Sequence, residues 1–404
     1  MNKIKVIFNG SFCGESFKSI QKAQNVSMSA AQENLEKSLY DAIGYESDIE
    51  FYSLSAIPVR SFPGNKKLFW KYKNIKLNTN VIIHQLSFIN ILILKQICYF
   101  FECFFITFKW CFKNRNSKKI FLSYSTNPVF LKAQLFLFKI FKVTKVILVS
   151  EIPEYRLFTE QSSFIRKFLL NKYVKISTKE HQSFDKYILM TKAMNDIVNI
   201  NNKPFMVCEG MINIEAVLNK STDNEICIDE NYILYTGTLD CKYNILKFID
   251  YFLKLELPIN FYICGDGNTV EIIKKYSKMH NNIVYLGMVS KNATIYLQQK
   301  AKYLVNPRGK EVFTRFSFPS KILEYLATGK PTICCKLEGI PNEYNKYLNY
   351  IDMSTEENAI KDLKNIFNYN YNELSMKSEH GREFVLKNKS NIVQVKKIID
   401  FIYK

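Results

Sequence analysis

Residues that build metal and redox sites are scarce in this sequence. It has 4 histidines in 404 residues, and its 10 cysteines form no Cys-X-X-Cys pair and no spacing typical of zinc ligands. Cysteines that stay reduced and fill small spaces in a core are typical of a reducing compartment. We therefore expect a cytoplasmic protein without a metal site.

A signal peptide and a membrane span are not indicated either. Residues 1–14 contain two lysines and a short apolar run, a pattern that predicts a first β-strand. The most apolar segment, residues 91–112, is interrupted by Lys95, Glu102 and Lys109. Its uncharged runs therefore fall well short of the roughly 20 residues that a membrane span requires.

Two interpretations of residues 88–112 remain open. The segment is either a buried helix of a domain or a helix that lies in the interface of a bilayer. In the second case, basic side chains toward its C-terminal end would contact lipid phosphates. These side chains are Lys109, Lys113, Arg115, Lys118 and Lys119. An anionic membrane surface is thus one expected partner of residues 88–119.

Acidic residues are missing from a large part of the N-terminal half. Residues 51–150 contain 16 basic residues and one acid, Glu102, within a chain whose net charge is +19. This imbalance predicts an anionic partner for that half: a membrane, a nucleic acid or a phosphorylated acceptor. The aromatic residues lie in apolar runs and do not alternate with Lys or Arg, which disfavours a nucleic-acid binder.

Strand and helix patterns alternate along the chain, as in KIKVIF, then SAAQENLEKSLYDAI, then IEFYSL. The alternation breaks near residues 205–230 and then restarts, which predicts two parallel α/β domains of the Rossmann type that face a cleft. We assign residues 1–208 to the first domain and residues 209–388 to the second. Residues 389–404 form a last amphipathic helix that could pack across either domain.

The segment SFPSKILEYLATGKP predicts a short helix with a ligand at its start. Pro319 suits the first helical position, and the Gly-Lys-Pro sequence suits a helix stop. Ser320, Lys321 and Glu324 lie outside the apolar stripe of this helix. Free backbone N–H groups, a hydroxyl and a lysine would bind a phosphate, and the carboxylate would accept hydrogen bonds from a sugar diol. Phosphate and diol together indicate a nucleotide.

Three further motifs follow predicted strands of the second domain. YTGTLDCK places Gly237, Thr238 and Lys242 after one strand, YICGDG places Gly265 after the next, and VNPRGK places Arg308 after a later one. Ligands of α/β sheets bind at the carboxyl ends of parallel strands. GDGNTV lacks the third glycine of the dinucleotide fingerprint, so a nicotinamide or flavin cofactor is not expected.

The order YTGTL, YICGDG, IVYLG, LVNPR, SFPSKILEYLATGKP and EGIPNEY resembles the C-terminal domain of retaining glycosyltransferases of family 4 (group 1). The N-terminal half is similar to the bacterial members that build surface polysaccharides, through VSMSAAQENL, LVSEIPEY, ILMTKAMNDIV and VCEGMIN. The resemblance implies the GT-B fold, an α/β architecture with two Rossmann-like domains facing a central cleft. It also implies sugar transfer from a nucleoside diphosphate sugar to a saccharide acceptor, with no cofactor and no tightly bound metal.

The same resemblance implies roles for single residues. Glu324 matches the second glutamate of a paired motif and would hold the ribose, while Lys321 and Arg308 would face the diphosphate. Phe316 stands where the first glutamate of that motif would fall, with Glu311 and Arg315 nearby as polar substitutes. The implied donor-binding residues are Gly237, Thr238, Lys242, Gly265, Arg308, Arg315, Ser320, Lys321 and Glu324.

On the acceptor side, the resemblance and the chemistry point to Glu151. This residue follows the strand KVILVS, and a carboxylate at a strand end could accept or orient the proton of an attacking hydroxyl. Glu154 is a weaker candidate for that role. The basic, aromatic first domain suggests a lipid-linked acceptor at the inner face of a membrane. A sugar-nucleotide epimerase of the same fold remains an alternative.

Overall fold

The computed structural model describes residues 3–14, 30–124, 128–154, 164–218 and 231–403. It divides into two compact units. The first unit comprises Met1–Glu209 and Asn391–Lys404, and the second comprises Gly210–Ser390. The sequence placed the two boundaries after residues 208 and 388, and the structure places them after residues 209 and 390.

An eight-stranded sheet forms the centre of the first unit, in the order β10-β9-β8-β7-β1-β2-β5-β4. All neighbouring pairs are parallel except the edge strand β4, which runs antiparallel to β5. Strands β3 and β6 form a separate antiparallel pair. The strands are β1 (Ile4–Gly10), β2 (Ile49–Ser55), β3 (Phe69–Trp70), β4 (Lys73–Lys76), β5 (Val81–Gln85), β6 (Phe88–Ile89), β7 (Lys119–Tyr124), β8 (Thr144–Val149), β9 (Lys186–Leu189) and β10 (Phe205–Val207).

Helices cover this sheet because its central strands are apolar on both faces, as in Ile7 and Phe8 of β1, which are fully buried. Before residue 209, the described part of the first unit has five α-helices. They are α1 (Ala30–Ile43), α2 (Leu92–Lys113), α3 (Pro128–Ile140), α4 (Phe164–His181) and α5 (Asn195–Val198). The predicted helix SAAQENLEKSLYDAI corresponds to α1, and its first residue, Ser29, lies outside the described ranges.

Helix α2 differs from its prediction in two respects. The predicted helix included residues 88 and 89, but these pair with β3 as strand β6. One of the two open interpretations placed Lys119 on lipid phosphates, and for this residue that contact is wrong. Its side chain is buried, and its ammonium donates to three backbone carbonyl oxygens of the preceding turn at 3.1–3.4 Å. Among the described residues, no helix has the length and hydropathy needed to cross a bilayer.

A six-stranded, fully parallel sheet forms the centre of the second unit, in the order β13-β12-β11-β14-β15-β16. The strands are β11 (Tyr232–Thr236), β12 (Asn260–Cys264), β13 (Ile283–Gly287), β14 (Tyr303–Asn306), β15 (Thr332–Cys335) and β16 (Asn349–Ile351). The helices are α6 (Ile214–Leu218), α7 (Ile245–Lys254), α8 (Val270–Met279), α9 (Lys291–Lys300), α10 (Ser320–Ala327), α11 (Glu356–Asn368) and α12 (Tyr371–Lys389).

The last helix, α13 (Asn391–Tyr403), belongs to the first unit and packs beside α1. The ammonium of Lys118 donates to the carbonyl oxygen of Tyr403 at 3.0 Å, and that of Lys186 donates to the carbonyl oxygen of Phe401 at 2.9 Å. Carbonyls in the last turn of a helix lack intrahelical donors and carry partial negative charge. Lys118, just before β7, and Lys186, at the start of β9, therefore fix the C-terminal end of α13.

Several elements of the structure have no clear signal in the sequence. Helices α4, α11 and α12 were not predicted, and neither were the short strands β4 and β16. In α4, charged and apolar residues are mixed and form no clean stripe, so its periodicity is weak. Strand β4 reads KNIK and has no buried residue, because it forms the edge of its sheet.

Glu180, on α4, makes the stability of the first unit depend on pH. Both of its carboxylate oxygens are buried and have no hydrogen-bond partner. Burial raises the pKa of Glu180 from 4.5 to about 7, although Lys132 lowers it in part. As pH rises, the carboxyl group of Glu180 therefore loses its proton at a lower pH in the unfolded chain than in the folded chain. The free energy of unfolding falls as pH rises from 4.5 to about 7.

We expect Glu180→Gln to remove this pH-dependent loss. The variant should unfold with a free energy higher than that of the wild type by up to about 3 kcal/mol near pH 8, and with a similar free energy near pH 4. Urea unfolding at both pH values measures the difference. Glu383→Gln, at an exposed position of α12, is the matched control and should show no such gain. An equal gain at both pH values would contradict the assignment.

Candidate functional site

The second sheet has a switch point between β11 and β14, where a ligand crevice is expected. From β11 the chain adds β12 and β13 on one side, and then crosses to place β14 on the other side. In parallel α/β sheets, such a reversal leaves a crevice outside the carboxyl ends of the two central strands. Gly237 and Thr238 follow β11, and Arg308 lies two residues after β14. Three of the predicted donor-binding residues thus flank this point.

Two turns at the ends of β11 and β12 pack against each other, backbone on backbone. The N–H of Gly237 donates to the carbonyl oxygen of Cys264 at 3.0 Å. A Cβ atom on Gly265 would lie 1.8 Å from the carbonyl oxygen of Gly237, and one on Gly267 would lie 2.1 Å from that of Leu239. The close approach of the two turns therefore requires glycine at both positions. It leaves the main chain exposed at the strand ends.

Helix α10 begins at Ser320, one residue later than predicted, because Pro319 is its N-cap residue with extended ψ. Ser320 is exposed. After the last turn, Gly329 adopts a left-handed conformation with φ of 72°, which ends the helix. The first turn of any α-helix leaves backbone N–H groups without intrahelical partners and carries partial positive charge. The start of α10 can therefore bind an anion.

Lys321 and Glu324 form an ion pair on the first turn of α10. The ammonium of Lys321 lies 2.7 Å from Oε2 of Glu324, and the two side chains are 30% and 37% exposed. Burial lowers the pKa of Lys321, but Glu324 and Tyr325 raise it by more, so that it lies above its ordinary value. Lys321 also opposes the rise that burial causes in the pKa of Cys264. Its ammonium is thus protonated and close to the end of β12.

Tyr325 fixes α10 over the end of β11. The tyrosine is fully buried, and its hydroxyl oxygen accepts a hydrogen bond from the N–H of Thr236 at 3.0 Å. The hydroxyl of Thr236 lies 3.2 Å from the same oxygen and also accepts from the amide of Gln298 at 2.9 Å. This buried network connects a helix to a strand 89 residues earlier. It holds the first turn of α10 at the switch point.

Arg308 is held between two aromatic rings. The centre of its guanidinium lies 5.3 Å from the ring centroid of Tyr243 and 5.2 Å from that of Phe313, and Nη2 donates to the hydroxyl of Ser317 at 2.8 Å. Its Nε–H is buried and has no hydrogen-bond partner. An unsatisfied buried donor costs about 1–3 kcal/mol, so this group retains the capacity to bind an anionic oxygen.

The other side chains considered for the donor site lie near acidic side chains or pack in the core. Lys242 lies in a short 3-10 turn, with its ammonium 3.8 Å from a carboxylate oxygen of Asp240. Arg315 is half exposed, and its Nε lies 3.6 Å from a carboxylate oxygen of Glu338. Phe316, at the position of the missing glutamate, is 8% exposed and packs in the core. The structure therefore supplies no carboxylate at this position.

In the first unit, Glu151 follows β8 at the carboxyl edge of the sheet, and its side chain is exposed. Tyr124, at the end of β7, has a pKa raised by burial; a hydrogen bond from Ser150 lowers it, and the charges of Glu36 and Glu151 raise it further. These groups therefore lie near one another. The weaker candidate, Glu154, has one buried carboxylate oxygen without a hydrogen-bond partner.

The sequence analysis missed Glu36, which is 1% exposed on α1. Its carboxylate accepts hydrogen bonds from the N–H of Ser11 at 3.0 and 3.1 Å, from the amide of Gln32 at 2.9 Å and from the hydroxyl of Tyr40 at 3.2 Å. Burial raises the pKa of Glu36, and these donors oppose the rise. Glu36 thus holds the turn after β1. The four-residue spacing of Gln32, Glu36 and Tyr40 was the available signal.

Residues 230–361 match the family model described as glycosyl transferases group 1. The matched segment contains the ends of β11, β12 and β14 and the whole of α10. No curated protein matches the sequence.

Solved structures match the fold over nearly the whole chain. Sucrose-phosphate synthase from Thermosynechococcus elongatus matches with a TM-score of 0.66 at 11% identity, over 100% of this chain and 99% of that chain. HepE from Anabaena, in complex with UDP and glucose, matches with a TM-score of 0.61 at 11% identity, over 99% of each chain. The lipopolysaccharide outer core galactosyltransferase WaaB matches with a TM-score of 0.58 at 12% identity, over 99% of each chain.

The architecture is that of the GT-B class, and the prediction of this fold is confirmed. The chain carries a group 1 glycosyltransferase domain within its second unit. Together the domain and the fold define an enzyme, a nucleotide-sugar-dependent glycosyltransferase.

Proposed function

We propose that this protein is a retaining glycosyltransferase of family 4 that transfers a sugar from a nucleoside diphosphate sugar to a lipid-linked saccharide during synthesis of a surface polysaccharide. The observation that carries the proposal is the Lys321–Glu324 pair on the first turn of α10, fixed by Tyr325 over the end of β11. It joins a cation, free backbone N–H groups and a carboxylate at a sheet switch point.

Each part of the donor has a partner in this arrangement. The diphosphate binds to the N–H groups at the start of α10, the ammonium of Lys321 and the unused Nε–H of Arg308. The ribose hydroxyls donate to the carboxylate of Glu324, which exchanges its bond with Lys321 for bonds with the diol. The backbone at Gly237 and Thr238, in the turn after β11, approaches the phosphates.

The leaving diphosphate gains charge in the transition state, and cationic groups already in place stabilise it. Lys321, Arg308 and the dipole of α10 supply that stabilisation, so the proposed reaction requires no metal ion or other cofactor. On the acceptor side, Glu151 orients the attacking hydroxyl or accepts its proton. The likeness in fold to WaaB, a lipopolysaccharide outer core galactosyltransferase, supports a saccharide acceptor.

A panel of UDP-, GDP- and dTDP-sugars tests the donor half of the proposal. We expect the sugars of one nucleotide class to raise the melting temperature, because a ligand that binds the folded state stabilises it. Transfer from that donor to a polyprenyl-diphosphate-linked saccharide is then followed by proton NMR. The product should keep the anomeric configuration of the donor.

Two outcomes would contradict the proposal. Inverted anomeric configuration in the product would exclude a retaining enzyme. Interconversion of the free nucleotide sugar without any acceptor, seen in the same spectra, would instead identify a sugar-nucleotide epimerase of this fold.

A further inference from the structure

Helix α2 of the first unit carries an apolar row on its outer side. Six large apolar side chains, spaced four or three residues apart, are each between 43% and 70% exposed. This spacing places them along one side of a helix. They are Ile93, Ile97, Phe101, Phe105, Phe108 and Phe112, and we call them the α2 outer face. Large apolar surfaces of this kind mark sites of interaction with a protein or a membrane.

Two of the three charges that interrupt this segment in the sequence are turned to the other side of the helix, while the third, Lys109, is exposed. Lys95 is 7% exposed, and its ammonium donates to the carbonyl oxygen of Val59 at 2.6 Å. The carboxylate of Glu102 accepts hydrogen bonds from the N–H and the hydroxyl of Ser87 at 2.8 and 2.6 Å, and lies 3.2 Å from a ring nitrogen of His84. The α2 outer face is therefore apolar over most of its length.

The neighbouring helix α3 extends this surface. Phe136 and Ile140 of α3 are 65% and 55% exposed. A groove of about 420 Å³ runs between the two helices, and Lys132 is the charged residue in its lining. The groove is lined by Leu92, Ile93, Gln96, Ile97, Phe100, Phe101, Val129 and Lys132. Its mostly apolar lining suits a hydrocarbon chain, and Lys132 adds a positive charge to it.

Exposed basic residues surround the same surface. Lys109, Lys113, Arg115 and Lys118 lie toward and beyond the C-terminal end of α2, and Lys132 and Lys139 lie on α3. The single acid in residues 51–150 is Glu102, which faces inward. Pairing of this face with itself would bring basic side chains together without acids to balance them. An anionic bilayer complements both the apolar row and the basic residues.

We propose that the α2 outer face and the adjacent face of α3 dock on an anionic lipid bilayer. Helix α2, about 33 Å long at 1.5 Å per residue, lies along the surface. Its phenylalanines enter the boundary between headgroups and acyl chains, and the basic residues at its C-terminal end contact lipid phosphates. This inference does not depend on the proposed transfer reaction, since none of these residues belongs to the donor site.

Vesicle flotation of the full chain tests the proposal. One set of vesicles is phosphatidylcholine alone, and the other contains a third of phosphatidylglycerol, at ionic strengths of about 0.05 M and about 0.5 M. We expect the partition coefficient on anionic vesicles in low salt to exceed that on neutral vesicles by at least about tenfold. The F101S/F105S variant should lower it by at least about tenfold in either salt.

Two further variants separate charge from apolar contact. K109A/K113A should lower the partition coefficient by about tenfold in low salt, and by much less in high salt, where the charges are screened. M279S/M376S replaces two exposed methionines of the second unit and is the matched control, which should bind like the wild type. All variants should keep the melting temperature of the wild type, because the replaced side chains are exposed.

Three results would overturn the proposal. The first is equal partition on neutral and anionic vesicles in low salt. The second is an equal loss in the control variant. The third is absence of vesicle binding together with a dimer that F101S/F105S abolishes in analytical ultracentrifugation, which would assign the face to a second copy of the chain. A nucleotide-induced thermal shift in F101S/F105S, measured in parallel, reports on the donor site separately.

Discussion

Replacement of Lys321 or Glu324 by alanine should lower the rate of sugar transfer by at least about tenfold, and leave the melting temperature nearly unchanged. Each side chain would make charge-assisted hydrogen bonds to the donor, which are worth about 1.5–3 kcal/mol each. In the folded protein the same two side chains are about one-third exposed and pair with each other, and such a pair contributes at most about 1 kcal/mol to stability. Kinetics with the identified donor, together with calorimetry, measure both effects.

A pair of the same geometry elsewhere in the second unit provides the control. Arg382 and Glu379, on α12, are also three residues apart, with Nη1 2.7 Å from Oε1 and side chains 35% and 51% exposed. Alanine at either position should leave both transfer and melting nearly unchanged. Normal transfer in the Lys321→Ala and Glu324→Ala variants would refute the donor site. A parallel loss in the α12 variants would show that the effect is not specific to α10.

Gly265→Ala should destabilise the second unit by more than about 3 kcal/mol and abolish donor binding. A methyl group at this position would lie 1.8 Å from the carbonyl oxygen of Gly237, and a backbone atom cannot move aside as a flexible side chain does. The two turns at the ends of β11 and β12 would have to separate, and these turns carry the backbone that we propose binds the phosphates. Calorimetry and the nucleotide-induced thermal shift measure the two effects.

Gly287→Ala is the matched control for this prediction. Gly287 ends the neighbouring strand β13 with a left-handed φ of 74°, and a Cβ atom there would have nothing within 4 Å. The substitution should cost only the conformational strain of about 1–2 kcal/mol and leave donor binding intact. Equal destabilisation by both substitutions would show that conformation, and not the contact between turns, makes Gly265 necessary.

Local signals in the sequence were sufficient to predict helix α10 and the placement of Lys321 and Glu324 next to each other on it. Proline before Ser320 and glycine after the last turn bound the helix, and the spacing of Lys321 and Glu324 puts both on one face. The alternation of strands and helices was likewise sufficient for the two parallel sheets. These features depend on residues within a few positions of one another, so a single sequence carries them.

Contacts between distant segments could not be predicted in this way. Nothing near Tyr325 indicates that its hydroxyl bonds to Thr236, and nothing near Arg308 indicates its place between two aromatic rings. The sequence also does not predict the direction in which a charged side chain points when several elements pack near it. Lys119 would face lipid in one of the two interpretations, but it is buried and three nearby carbonyl groups satisfy its ammonium.

The return of α13 to the first unit makes the second unit an insertion within the first. The chain leaves the first unit after Glu209 and re-enters it at Asn391, so the polypeptide passes between the units twice. A fragment that ends at residue 209 lacks the helix that covers α1, and it leaves Lys118 and Lys186 without the carbonyl oxygens that they bind. Dissection of this enzyme into halves would therefore require residues 391–403 to be rejoined to the N-terminal piece through a short linker.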